Sequence, residues 1–166
     1  MENKVIENMM TRASVRKFTD QAVEEEKIEA MLRAAMTAPT AVNSQPWHFV
    51  VVTDQDKLEQ ISQYNAPLSI VVCGDRNHFV QMGPEWWITD CSMASDNILL
   101  AANSMNLGGI WTALYPLKQY MDRAGTVLGL PDHLIPLNLI NIGYPAENPK
   151  PKNKWNEDKI TYIRKK

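Results

Sequence analysis

Near the start of the chain, TRASVRKF sets Arg12, Ser14 and Arg16 at alternate positions, so in an extended segment their side chains point to one side. Two guanidiniums flanking a hydroxyl suit a phosphate, because Arg donates planar, paired, charge-assisted hydrogen bonds to such oxygens. The same arginines could instead pair with the acidic turn Glu24–Glu26, and the pattern alone leaves both readings open. At the far end Lys150, Lys152 and Lys154 alternate in a proline-punctuated tail, which by itself reads equally well as a solvated segment. A third stretch, APTAVNSQPWHFVVV from Ala38 to Val52, places small and polar residues between two prolines directly ahead of a β-branched run.

Other chemistries find no support. His48, His78 and His133 have no Ser or Cys with an acid partner at a recognisable spacing, so no nucleophile, general base or other catalytic side chain is expected. There is no GxGxxG and hence no dedicated nicotinamide-binding unit. Cys73 and Cys91 lie in apolar runs without a CxxC pair or a neighbouring His, so they read as buried free thiols and no metal site is expected. Seventeen Lys and Arg against nineteen Asp and Glu give a net charge of −2, which argues against a nucleic-acid surface and requires any anion site to be local. No apolar run reaches the roughly 18 to 20 residues of a membrane span, and the first residues are too polar for a secretory signal. The expected location is cytoplasmic.

Several elements must position these residues. EEEKIEAMLRAAM, residues 24–36, puts Ile28, Met31, Leu32 and Ala35 at helical spacing behind acidic first-turn residues. HFVVVT, residues 48–53, reads as a buried strand, and Thr53 with Asp56 resembles a capping box opening a helix to about Tyr64. SIVVCGD, residues 69–75, is a second buried strand, followed by an irregular loop over 76–85. From Trp86 to Asn106 apolar and small residues recur every three or four positions, which predicts a closely packed central helix ended by Gly108 and Gly109. IWTALYP (110–116), a helix over about 117–128 and LIPLNLINIGYP (134–145) complete the order. With 45% apolar residues in 166, one domain spanning 1–166 is expected, its tail 146–166 extended and lying on something else.

Taken together, Arg-x-Ser-x-Arg-x-Phe at 12–18, Ala-Pro-Thr-Ala-x-Asn-x-Gln-Pro-Trp at 38–47, DCSMASDNILLAANSMNLGGIWTALYP at 90–116 and NIGYPAENPKP with Lys152-x-Lys154 resemble the nitroreductase family of FMN-dependent oxidoreductases. The resemblance runs through nearly the whole chain. It implies an α+β fold, a three-layer sandwich with a mostly antiparallel central sheet flanked by helices, assembled as an obligate homodimer with FMN at both interface edges. Arg12, Ala13, Ser14 and Arg16 would hold the FMN phosphate and the pyrimidine edge. Pro39, Thr40, Ala41 and Asn43 would reach a flavin bound mainly by the other subunit. Backbone around Ile110, Trp111 and Thr112 would lie against the ring, and Lys152 and Lys154 would close on the phosphate.

The resemblance further implies that NAD(P)H, a transient donor, and a small-molecule acceptor such as a nitroaromatic or quinone take turns at one flavin in a ping-pong cycle. Met82, Trp86 and Trp87 fall in the family's variable substrate-covering region, where the tryptophans could wall a flat acceptor or simply be core at the start of a buried helix. The alternatives are a non-catalytic flavin-binding or storage module with the same dimeric pocket, and a structural dimer latched by its basic tail.

Overall fold

The computed structural model describes residues 3–165, so positions 1, 2 and 166 of the expected domain and tail lie outside the described residues. Four strands form one antiparallel sheet in the order β1-β2-β4-β3, with β1 at Trp47–Val52, β2 at Leu68–Asp75, β3 at Gly108–Ala113 and β4 at Leu134–Gly143. The inner strands β2 and β4 are apolar on both faces and are buried along nearly their whole length, because helices cover both sides. Helices α2 (Glu25–Ala35) and α4 (Trp86–Ser104) pack Ile28, Met31, Ala35, Cys91, Ala94 and Ile98 against Leu68, Ile70, Val72, Ile140 and Ile142. On the opposite face α3 (Gln55–Ile61) and α5 (Lys118–Leu128) bring Leu58 and Ala124 to Val71, Cys73 and Leu139. This is the three-layer α+β sandwich, and its sheet is antiparallel throughout.

Four expectations change. The run at β1 is an edge strand with His48 and Val51 exposed rather than a buried one, since its second side has no neighbouring strand in the chain. Asp54, not Thr53, caps α3 by accepting from Lys57 N at 3.2 Å, and that helix stops at Ile61. Helix α4 is ended by Asn106 in the left-handed region (φ 60°), with Leu107 N donating back to Ala102 O at 2.9 Å. Gly108 and Gly109 then belong to β3. Finally, Lys4–Thr11 forms a helix, α1, capped by the Asn3 side chain, where no element was expected. Its Val5, Ile6, Met9 and Met10 are exposed. It is tied to α4 by Asn103 Nδ2, which donates to the Asn8 carbonyl and side-chain oxygens, and by Asn8 Nδ2, which donates to Leu100 O.

Among the described residues no helix is long and apolar enough to cross a membrane.

The two glycines of β3 are required by close approach. A Cβ on Gly108 would lie 2.6 Å from Val15 Cβ, and one on Gly109 would lie 2.7 Å from Leu99 Cδ2. Val15 Cβ is fixed by its backbone, whereas Leu99 Cδ2 ends a side chain that can rotate. Gly108→Ala is therefore expected to cost about 1–3 kcal/mol and Gly109→Ala less, read as shifts of the urea midpoint at constant slope. Equal costs at the two positions would contradict this packing.

Candidate functional site

The segment leaving α1 is clamped on both sides by backbone bonds. Val15 N donates to Gly109 O at 3.1 Å, Thr19 N to Tyr144 O at 2.9 Å, and Ala146 N to Lys17 O at 2.9 Å. With Val15 buried beside Ile110 and Ala66, the alternation about it directs Arg12, Ser14 and Arg16 away from the core. They line a cleft of about 540 Å³ together with Ala13, Met9, Met10 and the tail residues Pro149, Lys150, Lys152, Asn153, Lys154 and Trp155. The volume lies in the range of small-molecule sites, about 300–1,000 Å³.

The tail is brought there by Glu147. Its Oε1 accepts from Arg16 N at 2.6 Å and from Lys17 N at 3.3 Å, so the carboxylate pins the chain just ahead of the three lysines. Glu147 lines an adjoining hollow of about 340 Å³ that shares Arg12 and Ala13. Among the described residues no carboxylate lines the cation cleft itself. Among the described residues Arg12, Arg16, Lys150, Lys152 and Lys154 take part in no salt bridge.

The alternative role for the arginines is thereby answered, because Glu24 is engaged by Lys27 at 3.3 Å and by the Tyr144 hydroxyl at 2.7 Å. Tyr144 holds that carboxyl below its usual range. The donor set of the cleft fits a phosphate: two planar guanidiniums, three ammonium groups and the Ser14 hydroxyl.

The remaining predicted residues are distributed around this cleft as follows. Ile110 is buried, so only its backbone is available to a ligand, while Trp111 is exposed on the edge strand β3. Thr112 is half-buried, and its Oγ1 accepts from Asn141 Nδ2 at 3.2 Å. Pro39, Thr40, Ala41 and Asn43 lie in the loop between α2 and β1, at the opposite edge of the sheet from β3. None of them lines the cation cleft. That loop carries Val42 (φ 48°), Asn43 (φ 57°) and Gln45 (φ 48°) in the left-handed region, which is most unusual for the β-branched Val42.

Of the candidate acceptor wall, Met82 (78% exposed) and Trp86 (41%) face outward, whereas Trp87 is only 5% exposed. Trp87 stacks on Phe79 at 5.2 Å and meets Tyr115 edge-on. It is a core residue, because the ring fills the space that a Cβ on Gly74 would need.

The sequence reading missed Met9, Met10 and Trp155 in the cleft and the clasp made by Glu147. The pair Met9–Met10 was findable from the helical spacing with Val5 and Ile6, whereas nothing local marks Glu147. None of the three histidines lines the cleft.

Comparison with known proteins identifies the family and the fold. A model of the Nitroreductase family matches residues 9–72. A Methanothermobacter thermautotrophicus protein, provisionally named NADH dehydrogenase/NAD(P)H nitroreductase, is 42% identical over 94% of this chain and 85% of its own length. A solved Bacteroides thetaiotaomicron structure with the same provisional name superposes at a TM-score of 0.91 with 41% identity, covering 99% of this chain and 100% of that one. An FMN-dependent nitroreductase from Clostridium difficile superposes at 0.87 with 30% identity, covering 96% and 99%.

The thiols stand apart from the cleft. Burial pushes Cys73 up to about 12 and Cys91 higher still, with the Asp90 charge adding to the latter. At pH 8 neither carries appreciable thiolate. A disulfide reagent at that pH should therefore label neither cysteine in the native protein and both after unfolding, and rapid native labelling would contradict the buried assignment.

Proposed function

The chain belongs to the nitroreductase family, and from that premise we propose that it is an FMN-dependent NAD(P)H oxidoreductase whose cation cleft holds the flavin phosphate. The observation that carries this reading is the convergence of Arg12, Arg16, Lys150, Lys152 and Lys154 on one cleft in a chain of net charge −2. A phosphate monoester carries about −1.5 to −2 at neutral pH, and a cleft with several cations and no carboxylate is suited to neutralise it. When bound, FMN supplies the redox chemistry by taking hydride from NAD(P)H and passing the electrons to an acceptor.

The protein's part is to bind, orient and exclude water. Arg12 and Arg16 supply donors that favour the negative charge the ring gains on reduction. Trp111 and the backbone of Ile110 and Thr112 give the ring an edge strand to lie along. Pro39, Thr40, Ala41 and Asn43 do not line the cleft of their own chain and precede the opposite edge strand, which supports a homodimer in which each copy lends this loop to the other. The uncovered apolar face of α1, with Val5, Ile6, Met9 and Met10 exposed, offers material for such an interface. Met82 and Trp86 lie ahead of and at the start of α4, which also touches this loop through Asp90 and Ala41. They would thus cover a nitroaromatic or quinone acceptor that alternates with NAD(P)H in a ping-pong cycle. The whole chain acts as one domain, and its free buried thiols suit the reducing cytoplasm.

Titration of the flavin-free protein with FMN, followed by anaerobic NAD(P)H, tests this directly. The wild type is expected to turn yellow and to bleach far faster than free FMN. Arg12→Ala should weaken FMN binding by about tenfold to a hundredfold, the equivalent of one lost charge-assisted hydrogen bond. Protein that binds no FMN would sink the proposal, and binding without accelerated bleaching would leave only a flavin-holding role.

A further inference from the structure

Asp90 has no place in the chemistry above, yet it is a carboxylate only 6% exposed, one turn into α4. Among the described residues its side chain accepts from one donor, the Ala41 N–H, at 3.2 Å to Oδ2 and 3.3 Å to Oδ1. Burying a charge for one hydrogen bond is unfavourable, and an apolar side chain would pack there more cheaply. Asp at this position is therefore better explained by what it holds than by stability.

What it holds is the start of the strained loop. Ala41 is followed by Val42, Asn43 and Gln45, all with positive φ, and such conformations persist only where surrounding contacts over-determine them. The next α4 residue braces the other end of the same stretch, with Cys91 Sγ 4.0 Å from Pro46 O, and Asp75 N donates to that carbonyl at 2.7 Å. Between these braces, among the described residues, the loop has only short-range bonds, Asn43 N to Thr40 O, Ser44 N to Ala41 O, Gln45 N to Thr40 Oγ1 and Gln45 Nε2 to Asn43 Oδ1.

We propose that Asp90 is a positioning residue: its buried carboxylate anchors the Ala41 amide and fixes residues 39–43 in the shape that walls the flavin of a second copy. The inference rests on the flavin reading above. Asp90 does not line the cation cleft and would act through the loop.

Three variants separate the possibilities. Asp90→Leu removes the acceptor and the buried charge while keeping bulk, Asp90→Ala removes the side chain, and Asp90→Asn retains one acceptor oxygen. Hydrogen exchange of the flavin-free protein should quicken by about tenfold or more over residues 39–46 in Asp90→Leu, while β2 and β4 stay at wild-type rates. FMN affinity should fall by about tenfold to a hundredfold in Asp90→Leu and Asp90→Ala, but stay within about threefold of wild type in Asp90→Asn. The visible circular dichroism of the FMN-saturated Leu variant should also differ from wild type, a change that a purely stabilising role would not produce.

Wild-type exchange over 39–46 in Asp90→Leu overturns the inference. So does wild-type FMN affinity in that variant, or an Asp90→Asn protein as impaired as Asp90→Leu. A wild type that binds no FMN, but whose loop still loosens in Asp90→Leu, overturns the flavin reading and leaves the anchor standing.

Discussion

The contact of Val15 with Gly108 and Gly109 sets how closely the Arg12–Phe18 segment can lie against the sheet, and the geometry of the cation cleft follows from it. Because Gly108 carries no Cβ, Val15 reaches the strand surface and its N–H meets Gly109 O, while the space above Gly109 is filled by Leu99. The buried Val15 then fixes the alternation that turns Arg12, Ser14 and Arg16 outward, and the buried Phe18, where that alternation ends, anchors the far end of the segment. On the other side of the same segment, backbone bonds from the stretch after β4 and the Glu147 clasp bring the lysine-bearing tail across. A side chain at Gly108 would push on Val15 and so displace the arginines and the tail together.

Electrostatically, the cleft concentrates positive charge that the rest of an acidic chain does not share. Five cations facing one hollow without a carboxylate repel one another, and that cost is recovered when an anion enters. Glu147 lines the adjoining hollow and not the cation cleft, and its Oε1 accepts from two backbone N–H groups. It works as a structural pin, while the acids of α2 are kept elsewhere, Glu24 with Lys27 and Glu29 with Arg33. The site is thus made by where opposite charges are placed and not by net charge.

Much of this was legible in the sequence. The apolar runs of β2 and β4 and the three-and-four spacing of α4 are local signals, and each corresponds to an observed element, while the alternation of Arg12, Ser14 and Arg16 falls on an extended segment between α1 and α2. What was not legible depends on partners distant in the chain. The strand β1 reads as buried from its residues, but its edge position is decided by which strands pair beside it. Trp87 and Trp86 are identical neighbours in sequence, and only helical phase against Phe79 and Tyr115 sends one to the core. Glu147 and Asp90 each act on backbone far away in sequence, at Arg16 and Ala41. The end of α4 was misplaced because two glycines imitate a helix stop, when Asn106 supplies the left-handed turn and the glycines serve close packing.

In the proposed dimer each chain brings two half-sites, cations beside β3 and a shaped loop beside β1, and two copies join them. Mixing two defective variants tests this most directly. Arg12→Ala with Arg16→Ala removes the cation half, and Ala41→Glu blocks the loop half. After subunit exchange each mixed dimer should contain one site with intact cations from one copy and an intact loop from the other, so FMN binding should return at about one site in four. Recovery to that level is the predicted result, and a mixture that binds no more FMN than its two parents would contradict the account.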